Sequence, residues 1–390
     1  MAQVSIGLET IVEDQARRLR GRRIGLLAHP ASVDRRFRHA VPLLHGLLGG
    51  DLRVLFGPQH GLRGETQDNM IEWEGYRDPA TGLRVHSLYG THRKPTAAML
   101  ADLDVLLVDL QDVGARYYTF VWTLLLCLEA CAEQRKAVVV LDRPNPLGGA
   151  VEGHGVGAAY RSFVGLAPIP MRHGCTLGEL ALWLRRWADL DVDLEVVPVT
   201  GWRRDHRHDE TDRPWVMPSP NMPTFDTALV YPGACLLEGT LLSEGRGTTR
   251  PFEIVGAPGL DPDRLAAQLA ARRLPGVAVR PLHFQPTFQK HAGELCGGIQ
   301  LHVTDRRRFR PVLTYVSLLG EVRRLAPERE LWRPPPYEYE AEKLPIDILA
   351  GGPELREAVD AGADVDELVA GWQPAAEAFA AGLDQARLYD

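Results

Sequence analysis

The 390-residue chain is 45% hydrophobic and 24% charged, with 38 Gly and 29 Pro, a composition that excludes disorder, collagen and coiled coil and gives room for two domains. With 44 basic and 51 acidic residues the formal charge is −7, so no basic surplus exists to neutralise a nucleic acid. Lys occurs only at positions 94, 136, 290 and 343; the remaining basic residues are Arg, which makes any single Arg a weak functional signal.

The five cysteines, Cys127, Cys131, Cys175, Cys235 and Cys296, lack zinc-knuckle or disulfide-framework spacing and suit a reducing compartment. The first residues reach Glu13 and Asp14 without the basic start and apolar core of a signal peptide. The longest uncharged apolar stretch, Tyr117 to Leu128, is too short to cross a bilayer. The expectation is a cytoplasmic protein with no membrane contact.

In chain order, short apolar runs predict strands at Arg23 to Ala28, Leu52 to Phe56, Arg84 to Leu88, Val105 to Leu110 and Ala137 to Leu141. Helical stretches are expected between them at Ala40 to Leu48, Thr96 to Leu103 and Tyr117 to Gln134. This alternation is the signature of a parallel sheet flanked by helices. A polar, turn-rich cluster follows every strand, the first His29 to Ser32 and the last Asp142 to Pro146. In open α/β sheets, ligands bind where such loops converge beyond the carboxyl ends of the strands. Neither Gly-x-Gly-x-x-Gly after the first strand nor a P-loop occurs, so the sheet does not imply NAD or ATP. Residues 150 to 235, rich in Pro, Trp and Gly, read as a connecting or closing region with a helix from Thr176 to Asp189, opened by Thr176 and Glu179 as a capping box. From about 236 the pattern changes to a glycine-rich run ending at Phe252, strand-like Val277 to Phe284 and Gly298 to Val303, helix-like Pro311 to Leu325, and a tail, Pro353 to Leu388, that reads as two packing helices.

Three runs are too polar and too ordered to be plain connections: Gly57 to Asn69, Asp109 to Thr119 and Leu242 to Phe252. Together with Ser87-Leu88-Tyr89-Gly90, Leu141-Asp142-Arg143-Pro144-Asn145-Pro146, Pro218-Ser219-Pro220-Asn221-Met222-Pro223, Tyr231-Pro232-Gly233 and Glu238-Gly239-Thr240, they resemble the NamZ-type exo-β-N-acetylmuramidases, formerly a domain of unknown function. The resemblance covers nearly the whole chain. It implies an α/β fold: a Rossmann-like, mostly parallel sheet domain, placed at 1–235, followed by a smaller α+β domain at 236–390, with the active site in the cleft. The implied activity is release of N-acetylmuramic acid from non-reducing ends of peptidoglycan fragments. The partner is then a small sugar or muropeptide; no cofactor is implied, and the oligomeric state is left open.

The resemblance also implies a departure. Family members typically read Pro-Glu-His-Gly where this chain has Pro58-Gln59-His60-Gly61, and that glutamate is the family's acid/base candidate. An amide cannot serve as a carboxylic acid, so either a neighbouring carboxylate has taken the role or the protein binds its sugar without cleaving it. Retention of the other motifs favours catalysis. The motif-borne carboxylates are Glu65, Asp112 and Glu244. Glu65, nearest to Gln59, is the first choice as donor, and Asp112 is suited to orient the acetamido group or water. Arg116 and Arg246 are the candidates for the lactyl carboxylate, which a planar guanidinium binds bidentately. His60 and His173 could hydrogen-bond sugar hydroxyls or tune a carboxylate; Tyr89, Tyr117, Asn145 and Asn221 have the hydrogen-bonding character of sugar sites. A metal site from His60, His86, His92 and Asp112 is disfavoured, because no ligand pair shows helical metal spacing.

Overall fold

The structure, a computed structural model, describes every residue except Asn69, so the last position of the Gly57 to Asn69 run lies outside the described residues. Seven strands form the main sheet: β1 Ile24–Ala28, β2 Leu52–Gly57, β3 Tyr76–Arg77, β4 Arg84–Ser87, β5 Val105–Asp109, β6 Ala137–Leu141 and β7 Leu194–Val197. Their order is β3-β4-β2-β1-β5-β6-β7, parallel throughout except for β3 against β4. The five expected strands are all present. Their near-continuous Val and Leu runs follow from burial on both faces: every residue of β1, β5 and β6 is buried. Strand order reverses between β1 and β5, the switch point at which loops from both directions diverge and leave a crevice.

The helix Phe120–Glu133 is buried on almost all sides, as expected of a helix whose apolar residues surround it. It starts later than the periodicity suggests, because Tyr117 to Thr119 turn inward before it. The capping box of Thr176 and Glu179 opens Leu177–Trp187 as expected.

The C-terminal part carries a second, antiparallel sheet of β8 Ile254–Ala257, β9 Val277–Phe284 and β10 Cys296–Val303, in the order β8-β10-β9, covered by the helix Pro262–Ala271, against which the helix Pro311–Leu325 packs in turn. The tail forms three helices rather than the expected two, Glu354–Asp360, Val365–Gly371 and Gln373–Gly382. Gly362 in a left-handed conformation and Asp364 as an N-cap break the first from the second.

Phe225–Ala234 is helical although it holds Pro232 and Gly233, the two poorest helix formers. Tertiary packing decides this: Gly233 lies so close to the helix Pro311–Leu325 that a Cβ there would sit 2.1 Å from the Pro311 carbonyl oxygen. Intrinsic propensity alone would make Gly233→Ala stabilising. The close approach reverses the sign, and chemical denaturation of the variant is expected to show a loss of about 1–3 kcal/mol.

One main cluster of buried apolar side chains joins both parts, including Leu107 of β5, Trp122, Leu236, Tyr315 and Leu383. The loops after β1, β5 and β6 are tied by polar side chains. Asp109, at the end of β5, is fully buried and held by Arg143 through Nε at 2.6 Å and Nη2 at 2.9 Å, while the Ser32 hydroxyl donates to the Asp109 carbonyl.

Candidate active site

A pocket opens beyond the carboxyl end of the sheet, between the loop after β2 and the C-terminal part. Gln59 and His60 come from that loop, Tyr117 to Phe120 from the approach to the long helix, and Ser219, Asn221 and Met222 from the turn before Phe225. Tyr231, Glu238, Arg246, Phe252, Tyr337 and Glu338 close the other side.

On the first wall Gln59 is buried, and its Oε1 accepts from the Thr119 hydroxyl at 2.7 Å. His60 holds a left-handed backbone (φ 67°) and its Nδ1 lies 2.9 Å from the Thr66 carbonyl. Burial, assisted by Arg246 and opposed by the Thr66 bond, lowers the His60 pKa to about 4. The ring is therefore neutral near pH 7, donates through Nδ1 and leaves Nε2 as an acceptor. Gly61 follows with φ 88°, and a Cβ there would meet the Glu65 carboxylate at 1.8 Å; glycine is what allows the loop to fold back on itself.

On the second wall Arg246 donates through Nη2 to Glu238 at 2.7 Å, and its Nε lies 3.3 Å from Glu244. The other Glu238 oxygen accepts from Tyr337 at 2.8 Å. Glu244 stands behind this layer, where Lys290 Nζ donates to it at 2.8 Å. Burial pushes the Glu244 pKa up, but Lys290 and Arg246 outweigh it and keep the carboxyl below its usual range.

Of the residues singled out in the sequence, Gln59, His60, Tyr117, Asn221 and Arg246 line the pocket together. Glu65 does not. Its exposed carboxylate folds back over Gly61 and accepts from the Tyr76 hydroxyl at 2.6 Å and the Arg63 amide at 2.9 Å. Asp112 and His173 are buried behind the wall. Asp112 Oδ2 accepts from the Gly114 amide and from His173 Nε2 at 3.1 Å, and the Cys175 amide donates to His173 Nδ1 at 3.2 Å. Asn145 closes a turn, accepting from the Leu147 amide and donating to the Cys175 carbonyl, both at 2.9 Å. Arg116 is fully buried away from the pocket, where its guanidinium donates to the carbonyls of His154, Ile169 and Leu349. Tyr89 sits one layer out, and its hydroxyl donates to Glu338 at 3.0 Å. Among the described residues no group of three or more His, Cys, Asp or Glu could hold a metal ion.

Glu238, Tyr231, Tyr337 and Glu338 were missed by sequence reasoning. Glu238 stands in the Glu238-Gly239-Thr240 motif but was given no role, and Tyr337 and Glu338 fall between the expected helix Pro311 to Leu325 and the tail from Pro353, where no element was expected. Burial of both glutamates, 4% exposed each, is visible only in three dimensions.

An α/β protein with a crevice pocket of hydroxyls, amides, aromatic rings, two carboxyl groups and one guanidinium has the make-up of a carbohydrate site. The comparisons are specific. The family models described as exo-β-N-acetylmuramidase NamZ, N-terminal and C-terminal, match residues 24–226 and 229–389. The chain belongs to this family. It is 42% identical over 378 residues, covering 97% of this chain and 89% of the relative, to the peptidoglycan β-N-acetylmuramidase NamZ of Bacillus subtilis. Two crystal structures of DUF1343 family proteins from Bacteroides fragilis share the fold, at TM-scores of 0.90 and 0.78 with 34% and 28% identity, each comparison covering 99% of both chains.

Proposed function

We propose that this protein is an exo-acting glycoside hydrolase that releases N-acetylmuramic acid from non-reducing ends of peptidoglycan fragments. The observation that carries the reading is the 42% identity, across nearly the whole chain, to a peptidoglycan β-N-acetylmuramidase. The pocket supports it. Tyr117, Tyr231, Phe252 and Tyr337 offer ring faces and edges to one terminal sugar, and the walls come from both sides of the expected division at 235. The five cysteines are unbridged and buried, which supports a reducing, cytoplasmic setting and a small muropeptide as substrate. Among the described residues no helix is long and apolar enough to cross a membrane.

Purified protein is expected to release N-acetylmuramic acid from its β-1,4 disaccharide with N-acetylglucosamine and 4-nitrophenol from the aryl muraminide. A second reading, a sugar binder without turnover, rests on Gln59, whose amide lines the pocket but has no acidic proton to give. Calorimetric binding of the sugar without release of either product selects that reading, and turnover created only by Gln59→Glu would confirm it.

Arg246 is the one cation among the described lining residues and so the group we assign to the lactyl carboxylate. Arg246→Lys keeps the charge but loses the planar fork. It is expected to weaken binding of N-acetylmuramic acid by about 1.5–3 kcal/mol and that of N-acetylglucosamine by much less. Equal losses in calorimetry would remove this role.

A further inference from the structure

The donor suggested by chain position, Glu65, spends its carboxylate on Tyr76 and Arg63 outside the pocket, while the pocket holds two carboxyl groups in contrasting surroundings. Arg246 and Tyr337 donate to the two oxygens of Glu238, so that carboxyl group is fully engaged by the wall. Glu338 is 4% exposed and accepts from the neutral Tyr89 hydroxyl.

The backbone that delivers Glu338 is also unusual. Tyr337 and Glu340 exchange backbone hydrogen bonds, both 2.9 Å, across a two-residue turn. Both turn residues, Glu338 (φ 43°) and Tyr339 (φ 69°), are left-handed, a conformation that Gly, Asn or Asp would normally occupy. The Arg93 guanidinium lies on the Tyr339 ring, 3.1 Å from its centroid, and the Glu338 amide is 3.4 Å from the Met70 sulfur. Strain retained at a pocket wall, with outside contacts holding it, marks a side chain positioned for use.

We propose, resting on the muramidase reading above, that Glu338 is the acid that protonates the glycosidic oxygen, a role that Gln59 cannot fill. The groups facing it are Tyr89, Tyr337, Tyr339, Glu238, Arg93 and Arg246. Burial raises its pKa most, Glu238 adds to that, and Tyr89, Arg93 and Arg246 oppose, leaving it at about 7. Glycoside cleavage requires a carboxyl group that still holds its proton at working pH, and buried Glu338 at the pocket wall supplies one. The Glu338 proton passes to the glycosidic oxygen as the C1–O bond breaks, and the bond pair stays on that oxygen. A water oxygen then bonds to C1, and the proton it gives up restores the Glu338 carboxyl group. One water is consumed and no other reactant is needed.

The test compares wild type, Glu338→Gln and Tyr89→Phe on the disaccharide and on the aryl muraminide. Glu338→Gln is expected to lower kcat on the disaccharide by about a hundredfold or more, with the aryl substrate far less affected because its leaving group needs no proton. The basic limb of the kcat/KM profile on the disaccharide should vanish. Tyr89→Phe removes a bond that favours the ionised form, so that limb should move to higher pH. A wild-type protein that turns over neither substrate overturns the muramidase reading and this assignment with it. Wild-type turnover with full disaccharide activity and an intact basic limb in Glu338→Gln overturns the assignment alone. If Glu338→Gln does not fold, Tyr89→Phe decides: a shifted limb supports the assignment and an unmoved one overturns it.

Discussion

Arg143→Met is expected to destabilise the protein by about 3–5 kcal/mol, because it leaves the Asp109 carboxylate buried without its counter-charge. Asp109 is fully buried, Arg143 is 5% exposed, and the guanidinium grips both carboxylate oxygens. The pair joins the ends of two adjacent central strands, so its loss falls on the edge from which the polar loops leave. The double variant Arg143→Met with Asp109→Leu should recover most of the loss, since an apolar pair of similar volume carries no desolvation debt. Chemical denaturation of the single and double variants measures this. A single-variant loss under about 1 kcal/mol, the value of a solvated pair, would show that the site is wetter than the geometry indicates.

The second large effect is expected at Arg116. Its guanidinium is fully buried, and its three acceptors are carbonyls from distant segments, His154, Ile169 and Leu349. Its own carbonyl accepts from Trp122 Nε1 at 2.8 Å. Arg116→Met orphans all three acceptors, and at about 1 kcal/mol or more each the loss should reach at least about 3 kcal/mol. Arg116→Lys should be nearly as damaging, because an ammonium cannot span three acceptors held in a fork. The affinity of the variant for N-acetylmuramic acid relative to N-acetylglucosamine, measured below its melting range, should stay that of the wild type. A change in that ratio would return Arg116 to the sugar site.

These residues show what the sequence could and could not convey. The central strands were legible because double-sided burial writes itself as unbroken Val and Leu, as in Val105 to Val108. The converging loops were legible because polar residues after such strands need a reason. Within the loops, Arg116, Asp112 and Asn145 stand in motifs as specific as those of Gln59 and Arg246, yet they bind the scaffold. An ordered motif shows that a side chain has a demanding partner, not whether that partner is a ligand or the protein's own backbone. Glu338 was illegible for the opposite reason. Alternating Tyr and Glu look like a wet loop, and only the left-handed turn and the aromatic rings around it put that carboxyl out of water. The third helix of the tail was overlooked for another reason: Gly362 and Asp364 do mark a stop and a fresh N-cap, but Ala, Leu and Val keep helical spacing on both sides of them.

The apolar cluster that passes without interruption from the seven-stranded sheet into the C-terminal helices bears on how a sugar gets in and out. Lobes joined through a shared core cannot swing apart on a hinge without exposing Leu236, Tyr315 and their neighbours to water. Clamshell closure is therefore closed to this architecture. The pocket stands preformed, and ligand exchange falls to local motions of its rim. The same continuity makes the two halves obligate companions: a chain cut near residue 227 would yield fragments that each display half of a common interior, and activity could return only by their reassembly.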